Sequence, residues 1–205
     1  MASEIDFLRF RVTICGIPEL DAHAGAGVTH VLSIVAPDDP DPPAFQTFPP
    51  HRRLSLRFHD IIDAVPQRLP PSRGDVELLL AFGREAAAAP APHLLVHCHA
   101  GVSRSTASAA LILAQAYPER PAADVLDAIA MLRPRAWPNL RILELGDELL
   151  GRNGEIVAAA ARVYRRVLDR DPDWQETMID AGRGREVTTA LGPPRRSEHF
   201  SLRKG

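Results

Sequence analysis

The chain is 205 residues long, 45% apolar and 24% charged, with a formal net charge of −2. That length holds one domain with a substantial core plus an extension, and the composition is ordinary for a globular protein. The charge balance argues against a general nucleic-acid or membrane-surface role, no apolar run is long enough to cross a bilayer, and two cysteines, Cys15 and Cys98, make no disulfide framework.

Taken in order, Phe7 to Cys15 alternates apolar and charged residues and reads as a half-buried strand, stopped by Gly16 and Pro18. Glu19 to Ala26 reads as a short helix and Thr29 to Val35 as a continuous apolar strand. Pro37 to Pro50 is too rich in proline and aspartate for regular structure; it is a solvated surface loop, or else a mobile or substrate-facing one. Arg53 to Phe58 alternates again, as a third strand, and His59-Asp60 follows it directly. Asp75 to Ala89 is a helix stopped by Pro90, and His93 to His97 is the central strand, with the apolar run Leu94-Leu95-Val96. Arg104 to Tyr117 is a helix apolar nearly all round, hence buried. Helices follow at Ala122 to Leu132, from after Asn139 to about Leu150, and from Glu155 to Leu168. From about Asp171 the apolar pattern fades. The division expected is a catalytic domain over 1–152, a helix over 153–170 and a flexible tail over 171–205 ending in the basic residues Arg195, Arg196, Arg203 and Lys204. Strands alternating with helices imply an α/β fold with a mostly parallel central sheet, whose sites lie at the carboxyl ends of its strands.

The chemistry concentrates in one stretch, His97-Cys98-His99-Ala100-Gly101-Val102-Ser103-Arg104-Ser105-Thr106, between the fourth strand and the buried helix. A loop there faces an anion with free backbone N–H groups and the positive end of the helix dipole. The same environment favours the thiolate of a cysteine. Arg104 supplies a planar fork for two phosphate oxygens.

This stretch resembles the His-Cys-x5-Arg-Ser/Thr loop of the cysteine-dependent protein tyrosine phosphatase superfamily, most of all its compact dual-specificity branch. Arg133-Pro134 and Pro138-Asn139, before a leucine-bearing helix, extend the likeness over roughly Phe7 to Leu150. The resemblance implies a phosphotyrosine phosphatase-like fold and hydrolysis of a phosphomonoester through a cysteinyl-phosphate. Cys98 is then the nucleophile, and Arg104 with the N–H groups of His99, Ala100, Gly101, Val102 and Ser103 holds the phosphate. Ser105 eases departure of the sulfur and His97 orients the loop. An aspartate after an earlier strand serves as general acid: Asp60, with Asp63 as the competitor. Asn139 either buttresses the loop or caps the following helix.

No metal or other cofactor is called for, and none of the eight histidines falls in a zinc pattern. The expected partner is a phosphorylated protein or small phosphomonoester. No basic-then-apolar leader follows Met1, and a working thiol needs a reducing compartment, so the expectation is cytoplasmic. Phosphotyrosine, mixed protein phosphoesters, phosphoinositides and nucleic-acid 5′-phosphates all stay open as substrates, with Arg133, Arg135 and Arg141 as possible polyanion contacts. A phosphate-reading protein that does not turn its ligand over is the reading from another class. Sulfur transfer and arsenate reduction are disfavoured by the His97 prefix and the Ser105-Thr106 suffix.

Overall fold

The computed structural model describes residues 10–192. Four strands form one sheet: β1 (Arg11–Gly16), β2 (His30–Val35), β3 (Arg52–Arg57) and β4 (His93–Cys98), in the spatial order β1-β4-β2-β3. Every pairing is parallel, with Cys15 opposite His97, Gly16 opposite Cys98 and Ser33 opposite His97. The two central strands, β2 and β4, are buried along their whole length, as near-continuous apolar runs require in a sheet covered on both faces. The edge strand β3 is blunted by charge: Arg52 pairs with Glu85 and Arg57 with Asp41.

The main core lies on one face, under α1 (Arg73–Ala88), α2 (Arg104–Ala116), α3 (Ala122–Leu132), α4 (Leu140–Leu149) and α5 (Glu155–Arg170). Helix α2 is its axis and is buried from Arg104 to Ala114. Close approach of α4 to α2 depends on Gly146, where a Cβ would sit 2.2 Å from a Leu111 methyl. The smaller core on the other face gathers Cys15, Leu20, Val28, Val31, Phe48 and Leu95. It lies beneath two 3-10 turns, Ile17–His23 and Pro43–Gln46.

The α/β class and the parallel sheet agree with the sequence reading. Differences in bounds are local. The first strand starts at Arg11, with Phe7 to Arg9 outside the described residues, and the helix expected over Glu19 to Ala26 is a 3-10 turn opened by Pro18. Helix α1 begins two residues before Asp75 because Ser72 caps it: the Ser72 hydroxyl accepts from the Asp75 N–H, and the Asp75 carboxylate accepts from the Ser72 N–H.

The larger correction is at the C-terminus. In place of a tail from 171, the chain forms α6 (Trp174–Asp180) and α7 (Gly184–Leu191), and α7 packs on α5. The residues that seat this segment are Met178, Arg183, Glu186 and Val187, all buried. The basic residues from Arg195 on lie outside the described residues.

Candidate active site

β4 ends at Cys98, and the loop His99–Ser103 turns the chain into α2. Gly101 makes that turn at φ 69°, and a Cβ there would lie 2.5 Å from the Cys15 carbonyl carbon and 2.6 Å from the Gly16 nitrogen. Only glycine satisfies both the left-handed backbone and the contact. Gly16 matches it across the gap, since its own Cβ would meet the His99 oxygen at 2.9 Å.

Every carbonyl of the loop points outward to a partner. Ile17 N–H donates to His99 O at 2.9 Å, and Arg133 donates to Ala100 O at 3.2 Å and Gly101 O at 3.1 Å. Trp137 N–H donates to Val102 O at 2.9 Å and Asn139 N–H to Ser103 O at 3.3 Å. The N–H groups of His99 to Ser103 have no acceptor among the described residues. A ring of backbone donors is therefore held ready for an anion at the N-terminus of a 13-residue helix.

Arg104 is 5% exposed and anchored by Nη1, which donates to Phe58 O at 2.9 Å. Its buried Nε has no acceptor among the described residues. An unpartnered buried guanidinium N–H is costly, and an oxygen of a bound phosphate is the group that would satisfy it. The Cys98 sulfur lies 3.2 Å from the Ser105 hydroxyl. His97 turns to the opposite sheet face, where Nε2 meets the Ser33 hydroxyl at 2.7 Å and the Phe45 ring lies tilted at 5.3 Å between centroids. Burial pushes the His97 imidazole down to about 4, so it is neutral at physiological pH. The Pro37–Pro50 loop thus packs behind the cysteine and contributes no residue to the cavity in front of it.

Asp60 stands across from the loop, half-buried, and its Oδ1 accepts three hydrogen bonds: Ser103 Oγ at 2.7 Å, Asn139 Nδ2 at 2.9 Å and Arg183 Nη1 at 3.2 Å. Asp63 points elsewhere, to Arg185 Nη1 at 2.8 Å, outside the cavity. Asn139 combines its two expected roles. Its Oδ1 caps α4 by accepting from Ile142 N–H at 3.1 Å, while its amide nitrogen steadies Asp60 and its backbone steadies the loop.

Cys98, Arg104 and Asp60 open on a common cavity of about 840 Å³. Its far wall is Trp137, Trp174 and Met178, with Arg135 over the Trp174 ring at 5.8 Å. Arg133, read from the sequence as a polyanion contact, is spent on the loop carbonyls and on Glu19 at 2.8 Å. Arg141 donates to Pro71 O and does not line the cavity.

Sequence reasoning missed Arg183 and Glu186. Arg183 grips Glu186 with Nε at 2.8 Å and Nη2 at 2.6 Å, and Glu186 also accepts from Leu140 N–H at 2.9 Å and from the Trp137 indole. Burial raises the Glu186 carboxyl above its ordinary value, against the pull of Arg183. The one available signal was the i, i+3 spacing of the two charges where α7 opens.

No protein-family model and no curated protein matches the chain. Solved structures do. Human DUSP28 superposes with a TM-score of 0.53 at 19% identity, covering 69% of this chain and 92% of that one. A Cydia pomonella phosphatase, PTP-2, gives 0.55 at 18% identity, covering 71% and 87%. PTPMT1, solved in complex with PI(5)P, gives 0.52 at 17%, covering 69% and 91%. At these identities the likeness is one of fold, and the fold of this chain is that of the protein tyrosine and dual-specificity phosphatases.

Proposed function

We propose that this chain is a cysteine-dependent phosphomonoester hydrolase of the protein tyrosine/dual-specificity type. The observation that carries the reading is the convergence of Cys98, the donor loop with Arg104, and Asp60 on one cavity. A nucleophile, a cradle for equatorial oxygens and a proton donor on the opposite side are what in-line phosphoryl transfer needs.

The Cys98 thiolate attacks phosphorus, the S–P bond forms and the P–O bond to the leaving group breaks. Protonated Asp60 gives its proton to the departing oxygen. Water then attacks phosphorus, the now ionised Asp60 takes its proton, and the S–P bond breaks to return the thiolate. Ser105, 3.2 Å from the sulfur, steadies that thiolate by donating its hydroxyl. Arg104 and the loop N–H groups stay on the phosphoryl oxygens throughout. All charge on the transferring group is met by fixed donors of the chain.

The substrate this cavity fits best is a phosphotyrosyl protein or another aryl phosphate. Trp137, Trp174 and Met178 offer an apolar wall to a ring. A polyanionic headgroup is served less well, because Arg133 and Arg183 are already paired with Glu19, Asp60 and Glu186. Because the thiol must stay reduced, the proposed setting is a reducing compartment such as the cytoplasm.

Hydrolysis of p-nitrophenyl phosphate and of phosphotyrosyl, phosphoseryl and inositol phosphates tests this. Cys98→Ser is expected to be inactive and Asp60→Asn to lose a hundredfold or more in kcat, the usual scale of general-acid catalysis. Asp63→Asn is expected to keep its rate. Full activity of Cys98→Ser would end the mechanism, and binding of aryl phosphates without turnover in the wild type would leave a phosphate reader in its place.

A further inference from the structure

The segment that opens α7 reaches the proposed reaction centre from beyond Phe7 to Leu150, the stretch over which the sequence motifs resemble those of the phosphatases. Arg183 is 6% exposed and Glu186 fully buried, so neither is a solvated surface charge. Burying a guanidinium is costly unless every N–H finds an acceptor, and here the fork is shared out. Nε and Nη2 go to the two oxygens of Glu186, and Nη1 alone goes to Asp60. Glu186 is itself fixed by Leu140 N–H and the Trp137 indole, both on the segment whose backbone holds the phosphate loop.

Other groups around Asp60 are accounted for. Ser103 and Asn139 donate to it as neutral groups. Arg104 lines the same cavity with its Nη1 tied to Phe58 O, and Cys98 lines it too; neither is hydrogen-bonded to Asp60. His59 is its chain neighbour and turns to Leu69, while the Tyr164 hydroxyl on α5 donates to Pro138 O. On the outer side Asp63 is paired with Arg185. Arg183 is therefore the one cation in hydrogen-bond contact with Asp60 among the described residues.

A guanidinium with no other partner favours the charged form of any carboxyl it touches, and only a protonated carboxyl has a proton to give. Building on the catalytic reading above, we propose that Arg183 and Glu186 are positioning residues for Asp60. Arg183 aims the carboxyl over the cavity through a single N–H. Glu186 takes up most of the guanidinium charge, so that Asp60 can carry the proton the leaving group needs.

The test is the pH dependence of kcat/KM, which covers the steps through departure of the leaving oxygen and not the later hydrolysis of the cysteinyl-phosphate, with two leaving groups, in the full chain. Phenyl phosphate needs its leaving oxygen protonated; 2,4-dinitrophenyl phosphate does not. Wild type and Asp60→Asn come first: their kcat/KM should differ on phenyl phosphate and agree on the dinitrophenyl ester, whose departure needs no proton. If they do not, the catalytic reading fails, and this proposal with it. If they do, Glu186→Gln exposes Asp60 to an uncompensated cation. The basic limb of the phenyl phosphate profile should then move down by about one pH unit, the effect of a near charge. Arg183→Gln/Glu186→Gln removes both charges and leaves no buried charge unpaired. Its basic limb should move up. The dinitrophenyl kcat/KM should stay within about twofold in both. Should Glu186→Gln fail to fold, the upward movement in the double variant carries the test alone. Opposite movements confined to phenyl phosphate, or that upward movement alone, support the proposal. Unmoved limbs, or equal losses on both substrates, overturn it and leave the pair a purely structural one.

Discussion

Ser103 and Asp60 are joined by a 2.7 Å hydrogen bond from the serine hydroxyl to the carboxylate Oδ1. Ser103 is also the residue from which α2 begins. One side chain therefore ties the turn that binds phosphate to the group proposed to protonate the leaving oxygen. Ser103→Ala removes one of three donors to Asp60 and leaves the backbone N–H of the loop in place. The expected result is a fall in kcat/KM of about tenfold on phenyl phosphate, the scale of one hydrogen bond to a charged group. The 2,4-dinitrophenyl ester should keep nearly the wild-type kcat/KM. Steady-state kinetics on the two esters check it.

Gly101→Ala asks for a left-handed alanine and a Cβ 2.5 Å from the backbone carbon of Cys15. The strain of the φ alone is about 1–2 kcal/mol, and the backbone contact forces the loop to move. Activity should fall a hundredfold or more, because a displacement of about 1 Å at a reacting centre has that effect. Phosphate or vanadate is expected to raise the melting temperature of the wild type and to leave that of the variant unchanged. Thermal denaturation with and without the anion measures both.

Much of the fold was legible because its strands follow simple rules. β2 and β4 are nearly continuous apolar runs, and the turn residues Gly16, Pro18 and Pro90 stand where elements stop. The cysteine loop was legible for a chemical reason: few sequences other than an anion cradle place Cys98, Gly101 and Arg104 at that spacing. What stayed hidden depends on charges that look like solvent-facing ones. Arg183 and Glu186 satisfy each other in the interior, which no hydropathy pattern reveals, so a docked helix pair read as a tail. Arg133, which does line the cavity, has a second role hidden for the same reason, since its acceptors are carbonyls of Ala100 and Gly101 brought to it by the turn of the loop. Ser103 read as a phosphate contact; its hydroxyl goes to Asp60, which lies 43 residues away in the chain.

The neutral, buried His97 gives stability a predictable slope. Its imidazole titrates near 6.5 in the unfolded chain and is pushed down to about 4 in the fold. Between those values the unfolded chain binds a proton that the folded chain does not, so stability drops as pH falls from about 6.5 to 4. Above that window His97 contributes no slope. At about 1.4 kcal/mol per pH unit the full loss is about 3 kcal/mol. Urea unfolding at several pH values should show it, and His97→Asn should flatten this part of the slope whatever its absolute stability.

The two thiols should behave oppositely toward an alkylating agent. Cys15 is 1% exposed, packs in the smaller core, and burial pushes its thiol up to about 12. Cys98 sits on the other face, with its sulfur toward the cavity. Iodoacetate, itself an anion, should carboxymethylate Cys98 alone in the native protein, and inorganic phosphate should protect it. Peptide mass spectrometry after limited reaction gives the site, and a Cys15 adduct under native conditions would contradict the two environments.

The account depends most on the covalent step, and one measurement reaches it directly. Ser105→Ala should slow departure of the sulfur and let the intermediate accumulate. Mixing this variant with an aryl phosphate, quenching in acid within the first turnover and mapping the peptides should place one phosphoryl group on Cys98. A phosphoryl group on any other side chain, or rapid turnover with Cys98 never modified, would contradict it.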